Sequence, residues 1–181
     1  REVKIEALPD RIISLAPGNT EILFALGLED KIVGVTDYCD YPESATNKEK
    51  IGGYSDPNIE KIVSLMPDLI VANGTHLKQI EELEKFGIPS VVIEPKNIDE
   101  MLDSIELVGK ATGQHEKATA LIDELNERIK KVEDMVSKVP ADNRPKVVYE
   151  LWHTPIMVAG PGTYVDDIIQ RAGGENIAKE D

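Results

Sequence analysis

A single cysteine, Cys39, stands in a chain of 181 residues. That excludes an internal disulfide and a multi-cysteine zinc site, and leaves the redox compartment open. Aromatic side chains are scarce too: one Trp, five Tyr and two Phe. Basic residues are outnumbered, 20 Lys and Arg against 34 Asp and Glu, for a net charge of -14. A field of that sign repels phosphate backbones and anionic lipid heads, so nucleic acid and membrane surfaces are poor partners. No apolar run reaches the roughly 20 residues that a membrane span needs. No basic-then-apolar leader follows Arg1, so any secretion signal is expected to have been removed or never present. What the chain does have is 41% hydrophobic and 30% charged residues. That balance is globular, and the length suits one ordinary domain, or one lobe and part of another.

Short β-rich apolar runs at residues 12–15, 32–35, 69–72 and 91–93 alternate with stretches of helical period. This is the pattern of βα units around a parallel sheet, and runs apolar almost throughout fit strands covered on both faces. Helix starts are readable at Asn19 or Thr20 ahead of 21–26, at Asn58 ahead of 59–66 and at Thr75 ahead of 76–86. Gly27, Pro67 and Gly87 stop these helices. An amphipathic helix at 98–112 runs to Gly113, and residues 116–137 continue at helical spacing with Ala118, Leu121, Ile122, Leu125, Ile129 and Val132. About 22 residues make a rod of roughly 33 Å, longer than a crossover requires. The segment 140–145 (PADNRP) reads as a linker; β signal then restarts at 146–151 and 156–158, and a helix follows at 164–172. The organisation expected is an α/β lobe over 1–113, a connecting helix over 114–139 and the start of a second α/β lobe over 140–181. One or two strands and one helix are too little to stand alone, so the second lobe is expected to be incomplete.

Ligands of open parallel sheets bind outside the carboxyl ends of the strands. The loops there read Ala16-Pro17-Gly18-Asn19, then 36–42 with Tyr38, Cys39 and Tyr41, then Asn73-Gly74-Thr75, then Glu94-Pro95. Gly52-Gly53-Tyr54-Ser55 precedes the Asn58 helix, and Trp152-His153 follows the first strand of the second lobe. Four of the few aromatics, Tyr38, Tyr41, Tyr54 and Trp152, therefore fall in these loops, where flat amphipathic rings suit a large, partly apolar small molecule. The plain alternative is that loop tyrosines cover helix ends, and Tyr41 before Pro42 reads as structural.

Enzyme readings are weaker. A Cys39 nucleophile needs a histidine base, and His76, His115 and His153 are scattered without a local signature. Gly160-Pro161-Gly162-Thr163 ahead of a helix lacks the Lys of a phosphate loop, and Asp166 and Asp167 oppose an anion, so it reads as a turn and cap. No two of Cys39, His76 and His153 lie at i,i+3 or i,i+4 ligand spacing; a metal site from them with nearby Asp residues, in a metal-binding receptor, stays the alternative reading. Glu60, in the first turn of the Asn58 helix, is explained at this level by the helix dipole.

Taken in order, RIISLAPGNTEILFALGLEDKIVGVTDYCDYP, IGGYSDPNIEKIVSLMPDLIVAN, the long helix and VVYELWHTPIMVAGPGTYVDDIIQRAGGENIA resemble the cobalamin and iron-siderophore class of ABC-transporter solute-binding proteins. The resemblance spans nearly the whole chain. It implies two Rossmann-like lobes joined by one rigid helix, a ligand held in the cleft between them, and no enzymatic step, cofactor or bound metal of the protein's own. Tyr38 and Tyr54 match aromatic positions that contact the corrin, and Pro17, Gly18 and Asn73 match neighbouring cleft positions; together with Gly74 these would shape the first-lobe wall. Asn73 stands where some cobalamin binders carry an aromatic residue. Trp152 falls in the loop that closes the cleft from the second lobe, and Glu60 matches a carboxylate that docks on arginines of the membrane permease.

The implied setting is periplasmic or otherwise extracytoplasmic, with ABC permease subunits as partners. The second lobe would be completed by residues beyond this chain or by another copy in a swapped homodimer. Among ligands of the class, ferric siderophores and haem are usually anionic, yet the first-lobe loops hold no Arg or Lys before Lys78 and Lys96. That favours a neutral, amide-rich corrinoid such as cobalamin over an iron chelate.

Overall fold

The computed structural model describes residue 3, residue 5 and residues 7–178. The chain divides into two compact units, Arg1–Glu94 with Ile105–Leu121 and Pro95–Ser104 with Ile122–Asp181.

In the first unit, β1 (Ile12–Ser14) leads into α1 (Pro17–Ala25), and β2 (Ile32–Val35) follows. A short 3-10 turn and α2 (Ile59–Ser64) lead to β3 (Leu69–Ala72), then α3 (Leu77–Glu84) and β4 (Ser90–Val92). The strands form one parallel sheet in the order β2-β1-β3-β4. Every residue of β1 and β3 is buried, which is why these segments read as continuous apolar runs. Ile13, Leu15, Ile70 and Ala72 join Ile51, Ile62, Ile80 and Leu83 in a core cluster beneath α2 and α3. Ile12, Ser14, Leu69 and Val71 alternate to the opposite face of the sheet, and α1 packs on β1 and β2.

Local chemistry sets the helix ends. The Asn58 side chain accepts the Lys61 N–H at 2.9 Å and caps α2. At the other end, Met66 adopts φ 48, and Arg11 donates from Nη2 to the Leu65 carbonyl at 2.7 Å and from Nε to the Met66 carbonyl at 3.1 Å. The orphan carbonyls of the last turn are thereby satisfied from the segment entering β1. Helix α1 differs from the sequence expectation. It starts at Pro17 with Ala16 as its cap residue, and Asn19 and Thr20 are buried inside it. Proline suits the first helical position because the missing N–H would be unsatisfied there anyway. Likewise α3 is entered through a 3-10 turn, Gly74–His76, that opens at Asn73 and not at Thr75.

Helix α4 (Ile98–Thr112) and α5 (His115–Val136) each contribute residues to both units. The 22-residue α5 is continuous, in line with the long rod expected. In the second unit, β5 (Lys146–Val147) is separate from β6 (Glu150–His153), where one strand over 146–151 was expected. Trp152 consequently lies within β6 and not in a loop after it. β6 pairs antiparallel with β7 (Ile156–Val158), and β5 pairs in parallel with β8 (Glu175–Asn176), a strand not anticipated, after α6 (Tyr164–Arg171). The β6–β7 hairpin is exposed along its whole length.

Polar side chains hold this unit together. Arg171 meets three carboxylates, Asp99 at 2.6 Å, Glu133 at 3.1 Å and Asp167 at 3.1 Å, and so ties α4, α5 and α6. Thr163 caps α6 through Asp166 N–H at 3.2 Å, the turn-and-cap role read for 160–163. The buried Asp166 carboxylate in turn accepts from Asn176 Nδ2 at 2.9 Å, Gly162 N–H at 3.0 Å and Gln170 Nε2 at 2.8 Å. These donors, Asn176 foremost, hold its pKa below the ordinary aspartate value. Stability contributed by such a carboxylate is whole above that value of 3.8 and is lost as pH falls through the lowered one. Asp166→Ala should therefore destabilise the protein by about 1 to 3 kcal/mol at neutral pH in urea unfolding. The gap from the parent should close in strong acid; an equal gap at every pH would contradict an ionised hub.

Candidate functional site: a strand-end wall at the sheet reversal

Strand order reverses between β1 and β3: the chain leaves β1 toward β2 on one side and β3 toward β4 on the other. Loops diverging from such a reversal open a crevice at the carboxyl edge of the sheet. Pro17 and Gly18 begin α1 directly after β1, and Asn73 and Gly74 follow β3. The two strands remain in register there, with Leu15 N–H donating to the Val71 carbonyl at 2.9 Å. Gly18 faces open space, since a Cβ built on it meets nothing within 4 Å. Gly74 is crowded, because a Cβ there would collide with the Glu94 carboxylate. Glu94, two residues past the end of β4, therefore sits against the Asn73–Gly74 turn.

Tyr54 is joined to that turn. Its hydroxyl lies 3.0 Å from Thr75 Oγ1. Its ring stands edge-on to His76, centroids 4.8 Å apart and planes at 71°. Its carbonyl lies 2.8 Å from His76 Nε2, and His76 Nδ1 accepts the Asn73 N–H at 3.1 Å. The loop itself turns on Gly52, whose φ of 103 is open to glycine and strained for other residues.

Tyr38 is 65% exposed at the end of β2, one strand out from the reversal. The loop beneath it is firmly held. Lys50 Nζ donates to the Cys39 carbonyl at 2.9 Å and to the Thr36 carbonyl at 3.3 Å. The Asp37 N–H donates to the Gly52 carbonyl at 2.9 Å, which ties the Tyr38 and Tyr54 loops. Cys39 is buried, its sulfur 3.1 Å from Thr36 Oγ1 and 3.2 Å from Thr20 Oγ1. The thiol is part of the packing that carries Tyr38, and its hydrogen-bond partners among the described residues are the two threonine hydroxyls.

The structure thus brings Pro17, Gly18, Tyr54, Asn73 and Gly74 to one edge of the first unit, with Tyr38 at its flank. Trp152 belongs to the second unit, where it is 56% exposed and donates from Nε1 to the Thr154 carbonyl at 3.0 Å. Tyr41 is exposed. Glu60 lies exposed in the first turn of α2, apart from the strand-end loops. Sequence reasoning missed Thr75 and His76 as wall residues, because their partners are set by the Tyr54 loop, which is distant in sequence.

The charge of this edge is negative. Asp37, Asp40, Asp56 and Glu94 are exposed around it, while Lys50, beneath the Tyr38 loop, is turned inward to carbonyls, and the exposed Lys78 and Lys96 lie further along the chain in α3 and after Glu94. Among the described residues no three His, Cys, Asp or Glu side chains gather as a metal-holding group. No helix among them is long and apolar enough to cross a membrane.

An α/β unit with diverging loops at its sheet reversal, followed by a long helix and a second α/β unit, is the architecture of a class of solute-binding protein. The chain belongs to the periplasmic binding protein family, whose model matches residues 12–181. It is 32% identical over 186 residues to YvrC, an ABC transporter substrate-binding lipoprotein of Bacillus subtilis, covering 99% of this chain and 59% of that protein. The crystal structure of the periplasmic vitamin B12-binding protein BtuF of Vibrio cholerae superposes with a TM-score of 0.83 at 32% identity, over 96% of this chain and 68% of that one. The periplasmic heme-binding protein RhuT of Roseiflexus sp. RS-1 gives a TM-score of 0.84 at 29% identity, over 92% and 65%. The chain spans about three fifths of the length of the curated relatives it matches.

Burial of Cys39 is directly testable. Its thiol should resist a water-soluble aromatic disulfide reagent in the native protein and react fully after denaturation. Rapid native labelling would contradict its place in the packing.

Proposed function

We propose that this protein captures a corrinoid such as cobalamin and hands it to an ABC importer outside the cytoplasm, with no chemical step. The observation that carries this reading is the make-up of the first unit's edge. A tyrosine ring, an asparagine, two glycines and a proline converge there amid four exposed carboxylates, and Lys50 beneath the Tyr38 loop is turned inward to carbonyls. Aromatic and backbone groups suit a large ligand with a flat ring and neutral amide side chains. A negative field works against the carboxylates of haem or of an anionic iron chelate. The relatives named for vitamin B12 support the corrinoid; the haem-binding relative makes haem the competing ligand, and competition binding with hemin decides between them.

In this reading Tyr54 packs on the ligand, Pro17, Gly18, Asn73 and Gly74 shape the surface beside it, and Tyr38 covers its flank. Trp152 is an exposed aromatic that the second unit offers. Glu60 is free to form a charge-assisted pair with a permease arginine.

Tyr54→Ala should weaken cyanocobalamin binding by about 1 to 3 kcal/mol in titration calorimetry, the scale of an interface aromatic; unchanged affinity would remove Tyr54 from the site. Gly18→Ala separates binding from folding. With space for its Cβ and no positive φ, it should leave stability unchanged or raise it by up to about 1 kcal/mol, yet weaken binding by projecting into the ligand's place. Equal affinity would move the ligand off α1. Glu60→Ala should bind cyanocobalamin normally and impair its uptake in cells that depend on this protein. Normal uptake would return Glu60 to a helix-dipole role.

A further inference from the structure

His76 is 1% exposed, and each of its ring nitrogens is engaged by backbone. Nδ1 accepts the Asn73 N–H at 3.1 Å, so the ring proton sits on Nε2 and is donated to the Tyr54 carbonyl at 2.8 Å. This leaves no free lone pair for a metal and no proton for a substrate. Packing alone does not explain an imidazole here either. A leucine would fill the same space but leave the Asn73 N–H and the Tyr54 carbonyl without these partners.

The two groups that the ring joins belong to different loops, one before α2 and one after β3. Each loop carries a residue of the candidate wall. The ring also supplies the edge against which the Tyr54 ring stands at 71°, while the Tyr54 hydroxyl reaches Thr75 Oγ1, one residue before His76. Tyr54 is therefore held at its carbonyl and its ring by His76 and at its hydroxyl by Thr75, two consecutive residues of a single turn. An aromatic fixed in this way loses little freedom when a ligand arrives, and that is how a preformed surface gains affinity.

We propose that His76 is a positioning residue of the ligand wall: it locks the Tyr54 ring over the Asn73–Thr75 turn before binding, and ligand affinity depends on it although its ring touches no ligand. The proposal rests on the reading of this edge as the corrinoid surface, and the two can fail separately. The variants are His76→Leu, which keeps volume and removes both hydrogen bonds, and His76→Gln, which keeps one acceptor and one donor. Each is made in the parent and in the Tyr54→Ala background. The readouts are hydrogen exchange at the Asn73 amide by NMR and affinity for cyanocobalamin.

In His76→Leu the Asn73 amide should exchange faster, and cyanocobalamin should bind about tenfold more weakly. In the Tyr54→Ala background the same change should cost less than about twofold, because the ring being positioned is gone. His76→Gln should recover part of both losses, and stands in for the leucine variant if that one does not fold. An Asn73 amide as slow as in the parent would overturn the strut. A full tenfold loss that persists without the Tyr54 ring would overturn positioning and leave His76 a general stabiliser. If Tyr54→Ala alone leaves affinity unchanged, Tyr54 is not part of the ligand surface and the positioning role of His76 falls with it; a corrinoid that binds neither protein overturns the corrinoid reading instead, while the exchange rate decides the strut.

Discussion

Parallel strands cannot be joined by tight turns, and most of what this molecule offers a ligand follows from that constraint. Each strand must hand the chain to a crossover, so every strand-end loop of the first unit emerges at the same edge of the sheet. Placing β1 between β2 and β3 then sends successive crossovers in opposite directions and leaves the loops after β1 and β3 to diverge. The position of Pro17, Gly18, Asn73 and Gly74 is a consequence of strand order, and strand order is held by strands buried on both faces.

On that frame the chain builds its surface by tying loops to one another. Lys50 holds the Tyr38 loop by two carbonyls, Asp37 joins it to Gly52, and His76 joins the Tyr54 loop to Asn73. A surface stitched in this way suits a protein that binds and releases without chemistry. Aromatic and backbone groups are fixed there by the loop-to-loop hydrogen bonds, and exposed carboxylates lie around them. The second unit uses a different device, a charged cluster on Arg171 and a carboxylate hub at Asp166, while its β6–β7 hairpin keeps its apolar side chains exposed.

Much of this was legible in the residues. The four apolar runs of the first unit, the Asn58 and Thr163 caps and the long helix are local signals, and local signals survive folding. The start of α1 was misplaced because Asn19 and Thr20 are good cap residues by type, whereas Pro17 at the first helical position competes for the same role and prevails. β6 was merged with β5 because the run KVVYEL has strand character throughout and nothing in it marks the break at Val148 and Tyr149. His76 was invisible as a wall residue for a deeper reason. Its partners are two backbone groups, one of them 22 residues away, and no side-chain pattern records a backbone partner. Loop position singled out Tyr54, but the three contacts that fix it needed the folded chain.

The central claim, that this chain presents a surface for a neutral corrinoid, is tested most directly by native mass spectrometry of the protein with cyanocobalamin and, separately, with hemin. A corrinoid surface requires a one-to-one adduct with cyanocobalamin that survives at a collision energy which removes hemin. A hemin adduct with no cyanocobalamin adduct would contradict it.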